Sequence, residues 1–242
     1  MTRPTTRRGA IALLLASAAL FWASFPPLPT GALAWLFLVP FFHLVDRGRV
    51  RGGFRCGLAL GVVANGGLLH WMSLNNGASI GQSIGMHAGL TLLLALGWGV
   101  FGRLTVAAVD RFGDRGLLLT PIFWTAIEYA YSFGDLAFTW TSLATTQTSY
   151  PDLIQHIRYT GMYAISLWVV LLNALIYLAI KRRGWRHAAL SMALILAPLL
   201  YGSASMRDED APRERSVRVA VIQPNVDSTD KFNFRNRAWL RL

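Results

Sequence analysis

The chain has 242 residues, of which 54% are hydrophobic and only 14% charged, with a formal net charge of +11. A soluble domain carries about a quarter charged residues, so an ordinary soluble fold is excluded, and a single cysteine, Cys56, excludes an intrachain disulfide. The basic excess would point to nucleic acid in a soluble protein, but here the cations sit in short loops between apolar runs, so nucleic acid is not the partner they indicate.

No Asp, Glu, Lys or Arg occurs in residues 9–45, 56–102, 159–180 or 187–206. Apolar runs of about 18 residues or more are membrane-span candidates. Read in chain order, they predict an all-α polytopic bundle of seven transmembrane helices over 1–206. The spans are 9–25, ended by Pro26, Pro27 and Pro29, then a short 30–45, then 56–74, 84–106, 116–133, 159–180 and 187–205. The basic, then apolar start has the pattern of a signal peptide. The Arg-rich 46–55 loop and the spans after it favour a retained first helix.

Orientation is read from the loops. With the N-terminus in the cytoplasm, one side carries Arg3, Arg7, Arg8, Arg47, Arg49, Arg51, Arg55, Arg103, Arg111, Arg115, Lys181, Arg182, Arg183 and Arg186. The other side carries only Arg158 up to Met206. Cytoplasmic loops hold the excess of Lys and Arg, so residues 207 onward are expected outside the cytoplasm.

Two loops on that outer side stand apart. Residues 75–85 are uncharged and rich in Gly, Ser and Asn. Residues 134–158 carry Phe138, Trp140, Tyr150 and Pro151, and aromatic residues favour the lipid–water interface. This long loop is expected to lie on or dip into the outer leaflet, either as an anchor or as the mouth for a lipid substrate. Glu128 falls inside the fifth span. An ionisable residue at that depth is a functional-site candidate, or else a hydrogen-bond partner for a neighbouring helix. His70 and His87 near span ends read as interfacial or core histidines. No Cys/His spacing suggests a metal, and no cofactor is implied.

Residues 207–242 change character. Val217, Arg218, Val219, Ala220, Val221 and Ile222 read as a buried strand opening an α/β domain. Ligands of such folds gather at the carboxyl ends of strands, which puts Gln223 and Asn225 near a site. Residues 233–242 then read as an amphipathic helix start, with Phe234, Ala238 and Leu242 on one face. A segment below about 40 residues rarely folds alone, so the expectation is the truncated start of a longer domain.

These pieces resemble the N-terminal part of bacterial apolipoprotein N-acyltransferase, a membrane bundle joined to a nitrilase-like (carbon–nitrogen hydrolase) domain. Pro121-Ile122-Phe123-Trp124 through Glu128-Tyr129 is similar to the family's Pro, Trp and Glu-Trp segment. Phe138-Thr139-Trp140, Gln147, Pro151 and Ile154-Gln155 are similar to its outer loop. Gly161-Met162-Tyr163-Ala164-Ile165-Ser166 through Asn173-Ala174-Leu175 is similar to its next span. Val219 through Asn225, with Lys231, resembles the opening of its nitrilase-like domain. There are departures: Tyr131 stands where the family often has Arg, Thr139 replaces a Pro, and Phe232 replaces a Trp after Lys231.

The resemblance implies transfer of a phospholipid acyl chain to the α-amino group of the lipidated N-terminal cysteine of an apolipoprotein. It would run through a cysteine thioester, with a Glu as general base and a Lys stabilising the oxyanion. It also implies that those three residues lie in the nitrilase-like domain, that none is in this chain, and that 1–242 alone is inactive. The substrate-binding candidates it implies are Trp140, Gln147, Gln155 and Tyr163 at the outer mouth, Asn173 and Glu128 between helices, and Gln223, Asn225 and Lys231 in the tail. The implied partners are a membrane phospholipid and an apolipoprotein, and the implied location is the bacterial inner membrane. The alternative is a non-catalytic membrane scaffold or half of a split enzyme. A transporter would carry more ionisable residues at mid-membrane than Glu128.

Overall fold

The computed structural model describes residues 6–48, 52–74, 78–209 and 218–223. They form eight α-helices joined by short 3-10 turns, with no strand among the described residues. The helices are α1 (Arg7–Ser24), α2 (Val39–Gly48), α3 (Gly53–Leu68), α4 (Ile80–Phe112), α5 (Thr120–Ala130), α6 (Pro151–Ile154), α7 (Ile157–Arg182) and α8 (Trp185–Glu209). The apolar runs predicted as spans are mostly helical, except the second, which is broken. Three helical stretches are long and apolar enough to cross a membrane: Ile80–Ala130, Ile157–Arg182 and Trp185–Met206.

The ends of the helices follow local chemistry. Thr6 caps α1 by accepting from the Gly9 amide at 3.2 Å. Phe25, forced out of helical geometry by the following proline, stops it in extended conformation. Ser79 and Gln82 form a reciprocal capping box at the start of α4. Helix α4 is 33 residues long, about 50 Å at 1.5 Å per residue. It ends at Gly113, whose φ of +59° suits a residue without Cβ. A 3-10 turn, Gly113–Leu119, then leads to Pro121 in the first turn of α5. Gly161, at φ +72°, breaks α7 after its first turn, so the long straight part of that helix starts beyond it.

The second predicted span is not one helix. The segment makes a 3-10 turn at Gly31–Trp35, unwinds, and resumes as α2. Pro40 explains the restart: it lacks an N–H and its ring excludes the carbonyl four residues earlier, so it is tolerated only in a first turn. The break leaves backbone groups open inside an apolar bundle, where each must find a partner. Asn173 of α7 supplies them. Its Oδ1 accepts from the Leu38 amide at 2.8 Å, and its Nδ2 donates to the Ala34 carbonyl at 2.7 Å and the Val169 carbonyl at 2.9 Å.

Helices α3 and α4 are fused along small residues. Gly53, Gly57 and Gly61 recur every four residues on α3 and face Gly102, Trp98 and Ala95 of α4. A Cβ at Gly57 would collide with the Trp98 carbonyl, and one at Gly53 with the Gly102 carbonyl. This is the close backbone approach that small-xxx-small spacing permits in apolar surroundings. The core beside the seam is aromatic. Trp98 and Trp124 meet edge to face at 4.8 Å, with Phe21, Phe37 and Phe101 around them.

The two ends of the bundle differ. At the end where α2 and α7 finish, Lys181 bonds Asp46 at 2.5 Å and Asp114 at 2.6 Å, Arg182 bonds Asp114 at 3.0 Å, and the Tyr177 hydroxyl donates to Asp46 at 2.8 Å. At the other end lies the long loop. It does not lie on the bundle but plugs into it: Leu143, Thr146 and Gln147 are buried, within the 3-10 turn Leu143–Gln147. Residues 143–147 of the loop expected at the outer interface are thus packed into the bundle, while Trp140 stays exposed. The apolar face and amide groups of this turn find partners inside.

Arg218–Gln223 form no strand, and Val219, Val221 and Ile222 are exposed. The strand predicted there is corrected for these residues. A strand is held by its neighbours, and no neighbour is present among the described residues.

Candidate functional site at the loop end

Glu128 sits near the end of α5 and points at the plugged loop. Its Oε1 accepts from the Trp124 indole N–H at 2.8 Å, one turn back on the same helix, and from the Leu143 amide at 2.9 Å. Its Oε2 accepts from the Ser142 hydroxyl at 3.0 Å. Ser142 also meets the Ser166 hydroxyl of α7 at 3.2 Å and caps the 3-10 turn through the Ala144 amide. The carboxyl group thus gathers α5, α7 and the loop onto one point. It lies at the N-terminal end of the 3-10 turn, where free amides favour an acidic group.

Two small pockets share Glu128 and Tyr131. One, about 30 Å³, is lined by Gly97, Trp98, Trp124 and Thr141. The other, about 20 Å³, is lined by Phe138, Thr139, Met162 and Tyr163. Each has room for about one water and none for an acyl chain. Tyr131 seals the first: its hydroxyl accepts from the Gly97 amide at 2.9 Å and donates to the Leu93 carbonyl at 2.9 Å.

Aromatic rings rim this end. Trp140, 64% exposed, stacks on Trp71 at 5.4 Å and touches Phe138. Tyr163 meets the exposed Tyr129 edge to face at 5.3 Å. The candidates read from the sequence therefore separate. Glu128 and Tyr163 line one pocket, and Trp140 stands on the rim. Gln147 is fully buried and is not a mouth residue. Its side chain donates to the Gly31 carbonyl at 3.0 Å and accepts from the Trp35 indole at 3.0 Å, bracing the broken second segment. Asn173 serves the same segment from α7. Gln155 bonds only its own turn, through the Pro151 carbonyl at 3.1 Å. Gln223 is exposed in irregular chain, away from any pocket described here. Asn225 and Lys231 lie outside the described residues.

The sequence missed Trp124, Ser142 and Ser166 as a set. Their only signal was spacing: Trp124 lies one turn before Glu128. His70 and His87 each bond a backbone carbonyl, at Gly67 and Gly66. Cys56 sits near the start of α3, far along that helix from the rim. Among the described residues no three of His, Cys, Asp and Glu group as metal ligands.

Apolar helices of spanning length, a broken segment repaired by buried amides and a loop pinned by a buried carboxyl define a polytopic membrane protein. Residues 17–175 match the model of the apolipoprotein N-acyltransferase N-terminal domain, and the chain belongs to that family. The apolipoprotein N-acyltransferase of Geobacter metallireducens is 29% identical over 235 residues, covering 90% of this chain and 43% of the relative. That of Gloeobacter violaceus is 26% identical over 218 residues, covering 86% of this chain and 41% of the relative. That of Thermosynechococcus vestitus is 32% identical over 133 residues, covering 54% and 26%. The chain thus spans less than half the length of these curated relatives. The matched region contains Glu128, Trp140, Gln147, Gln155, Tyr163 and Asn173.

Proposed function

We propose that this chain is the membrane part of a lipoprotein N-acyltransferase of the bacterial inner membrane. Seven helical segments cross the bilayer, with the paired-ion end in the cytoplasm and the aromatic rim at the outer leaflet. The rim receives the phospholipid acyl donor and the lipidated N-terminal cysteine of the apolipoprotein acceptor. Residues 207 onward lead into a nitrilase-like domain on that side. The observation that carries this reading is the family match over 17–175, because it contains Glu128 with its hydrogen-bond partners and the rim aromatics Trp140 and Tyr163.

In this reading the chain's own residues bind and orient; none is the acyl-carrying nucleophile. Tyr163 and Trp140 present flat, amphipathic surfaces suited to the headgroup level. Glu128 holds the loop that carries Trp140. Cys56, near the start of α3 at the opposite end of the bundle, is not the nucleophile in this reading.

The test has two arms on the purified 242-residue chain. A phospholipid carrying a photoreactive acyl chain is expected to crosslink to peptides containing Trp140 or Tyr163. A phospholipid with an alkyne-tagged acyl chain is expected to leave no hydroxylamine-sensitive label on the protein. Crosslinks confined to the opposite end, or a thioester on Cys56, would sink the proposal.

A further inference from the structure

Away from the rim, at the opposite end of the α3–α4 seam, a cleft of about 640 Å³ opens between the first turn of α3 and the last third of α4. It is the roomiest of the pockets described here. Phe54 forms part of its wall, and Arg55 of α3 and Arg103 and Asp110 of α4 supply its charge. The seam fixes its shape. Gly53 lines it, and its backbone nearly touches that of Gly102, so the two arginines stand on helices held close together.

Lys181 and Arg182 at the same end are taken up by Asp46 and Asp114. Among the described residues neither Arg55 nor Arg103 has an ion-pair partner. Two arginines lining one cleft suit a phosphate, which guanidinium groups hold through paired N–H bonds. Asp110 leaves the lining with one net positive charge. That balance suits a phosphodiester, with one negative charge, better than a phosphate carrying two. Asp110 is then free to accept from a hydroxyl or ammonium beyond the phosphate. Basic pockets between helices at the cytoplasmic surface are where lipid headgroups bind.

We infer that this cleft binds the phosphodiester headgroup of a cytoplasmic-leaflet phospholipid, with Arg55 and Arg103 on the phosphate and Asp110 on the headgroup's donor. The lipid is a resident of the bundle, distinct from the acyl donor at the rim. The inference rests on the orientation proposed above.

The experiment is native mass spectrometry of the protein released from nanodiscs containing phosphatidylethanolamine and phosphatidylglycerol. Wild type is expected to retain phospholipid, and Arg55→Gln/Arg103→Gln to bind it about tenfold more weakly, as loss of charge-assisted bonds dictates. Arg111→Gln/Arg186→Gln removes the same charge from the same end outside the cleft, and its retention is expected to stay at the wild-type level. An equal loss in both pairs would mean general attraction to an anionic surface and would overturn the site. So would retention unchanged in the cleft variant. Displacement of the retained lipid by millimolar inorganic phosphate would assign the cleft to a free anion and also overturn the lipid. Orientation is read separately, by an impermeant maleimide on Ala107→Cys in a Cys56→Ser background in right-side-out vesicles. Labelling from outside would refute the cytoplasmic leaflet and the orientation together, and leave the lipid count to judge the headgroup contacts.

Discussion

Glu128 shows how one polar residue in an apolar setting earns its place through the groups around it. Three donors converge on its two oxygens, and two of them belong to the loop. Glu128→Ala leaves the Trp124, Leu143 and Ser142 donors without an acceptor. Unpaired buried donors cost about 1–3 kcal/mol each, and water entering the adjoining pockets recovers part of that, so the net loss is about 3 kcal/mol. Glu128→Gln keeps an acceptor for the two N–H groups and turns an amide toward Ser142, so about 1 kcal/mol is expected. Midpoints of thermal unfolding in micelles check the order, and proteolysis within 134–142 should quicken only in the alanine variant. Equal midpoints for all three proteins would refute the latch. Asn173→Leu, close in volume, strands the Leu38 amide and the Ala34 carbonyl and should cost about 2 kcal/mol. Asn173→Asp keeps an acceptor for Leu38 but no donor for Ala34, and should also melt early. The sequence marked Glu128 because a charge at that depth is conspicuous. It placed Gln147 at the mouth because nothing local reveals that residues 31–38 are broken and need a buried amide beside them.

At the scale of elements, hydropathy finds helices and misses what interrupts them. The runs behind α1, α3, α4, α5, α7 and α8 were legible because apolar length alone specifies a helix in lipid. The second segment reads the same by composition, and only Pro40 hinted at its break. The tail failed for the opposite reason. Alternating β-branched residues state a preference for extended chain, but a strand exists only once paired. The α3–α4 seam is written in the glycines at 53, 57 and 61, but no single glycine signals it. It carries a sharp prediction. Gly57→Val drives a side chain into the Trp98 carbonyl and should cost about 3 kcal/mol, since backbone on both sides cannot yield. Gly89→Ala on α4 meets nothing within 4 Å and should be neutral or stabilise by up to about 1 kcal/mol. Urea or SDS unfolding of the pair in the same detergent decides it. A destabilised Gly89→Ala beside an unharmed Gly57→Val would place the tight contact elsewhere.

For the whole molecule the decisive property is which end faces which compartment. The ends are chemically unlike. One gathers Asp46, Asp114, Lys181 and Arg182 into a paired network and also carries an arginine-lined cleft. The other carries stacked tryptophans and a plugged loop with few charges. Lys and Arg resist translocation, which is why the proposed function puts the first end in the cytoplasm and the ring-rich second end at the far interface. The prediction follows from single cysteines in a Cys56→Ser background, read in intact cells. Thr148→Cys, exposed at the loop end, should react with an impermeant maleimide added outside. Phe112→Cys, exposed at the end of α4, should react only after the membrane is opened. The contrast also tests the span count, because an odd number of crossings must separate those two sites from each other along α5. Labelling of both from outside would mean that the α4–α5 stretch does not cross as a pair of spans. The aromatic rim would then no longer be set apart, across the bilayer, from the arginine cleft, and the division of labour between an outer substrate mouth and an inner lipid-held base would fall with it.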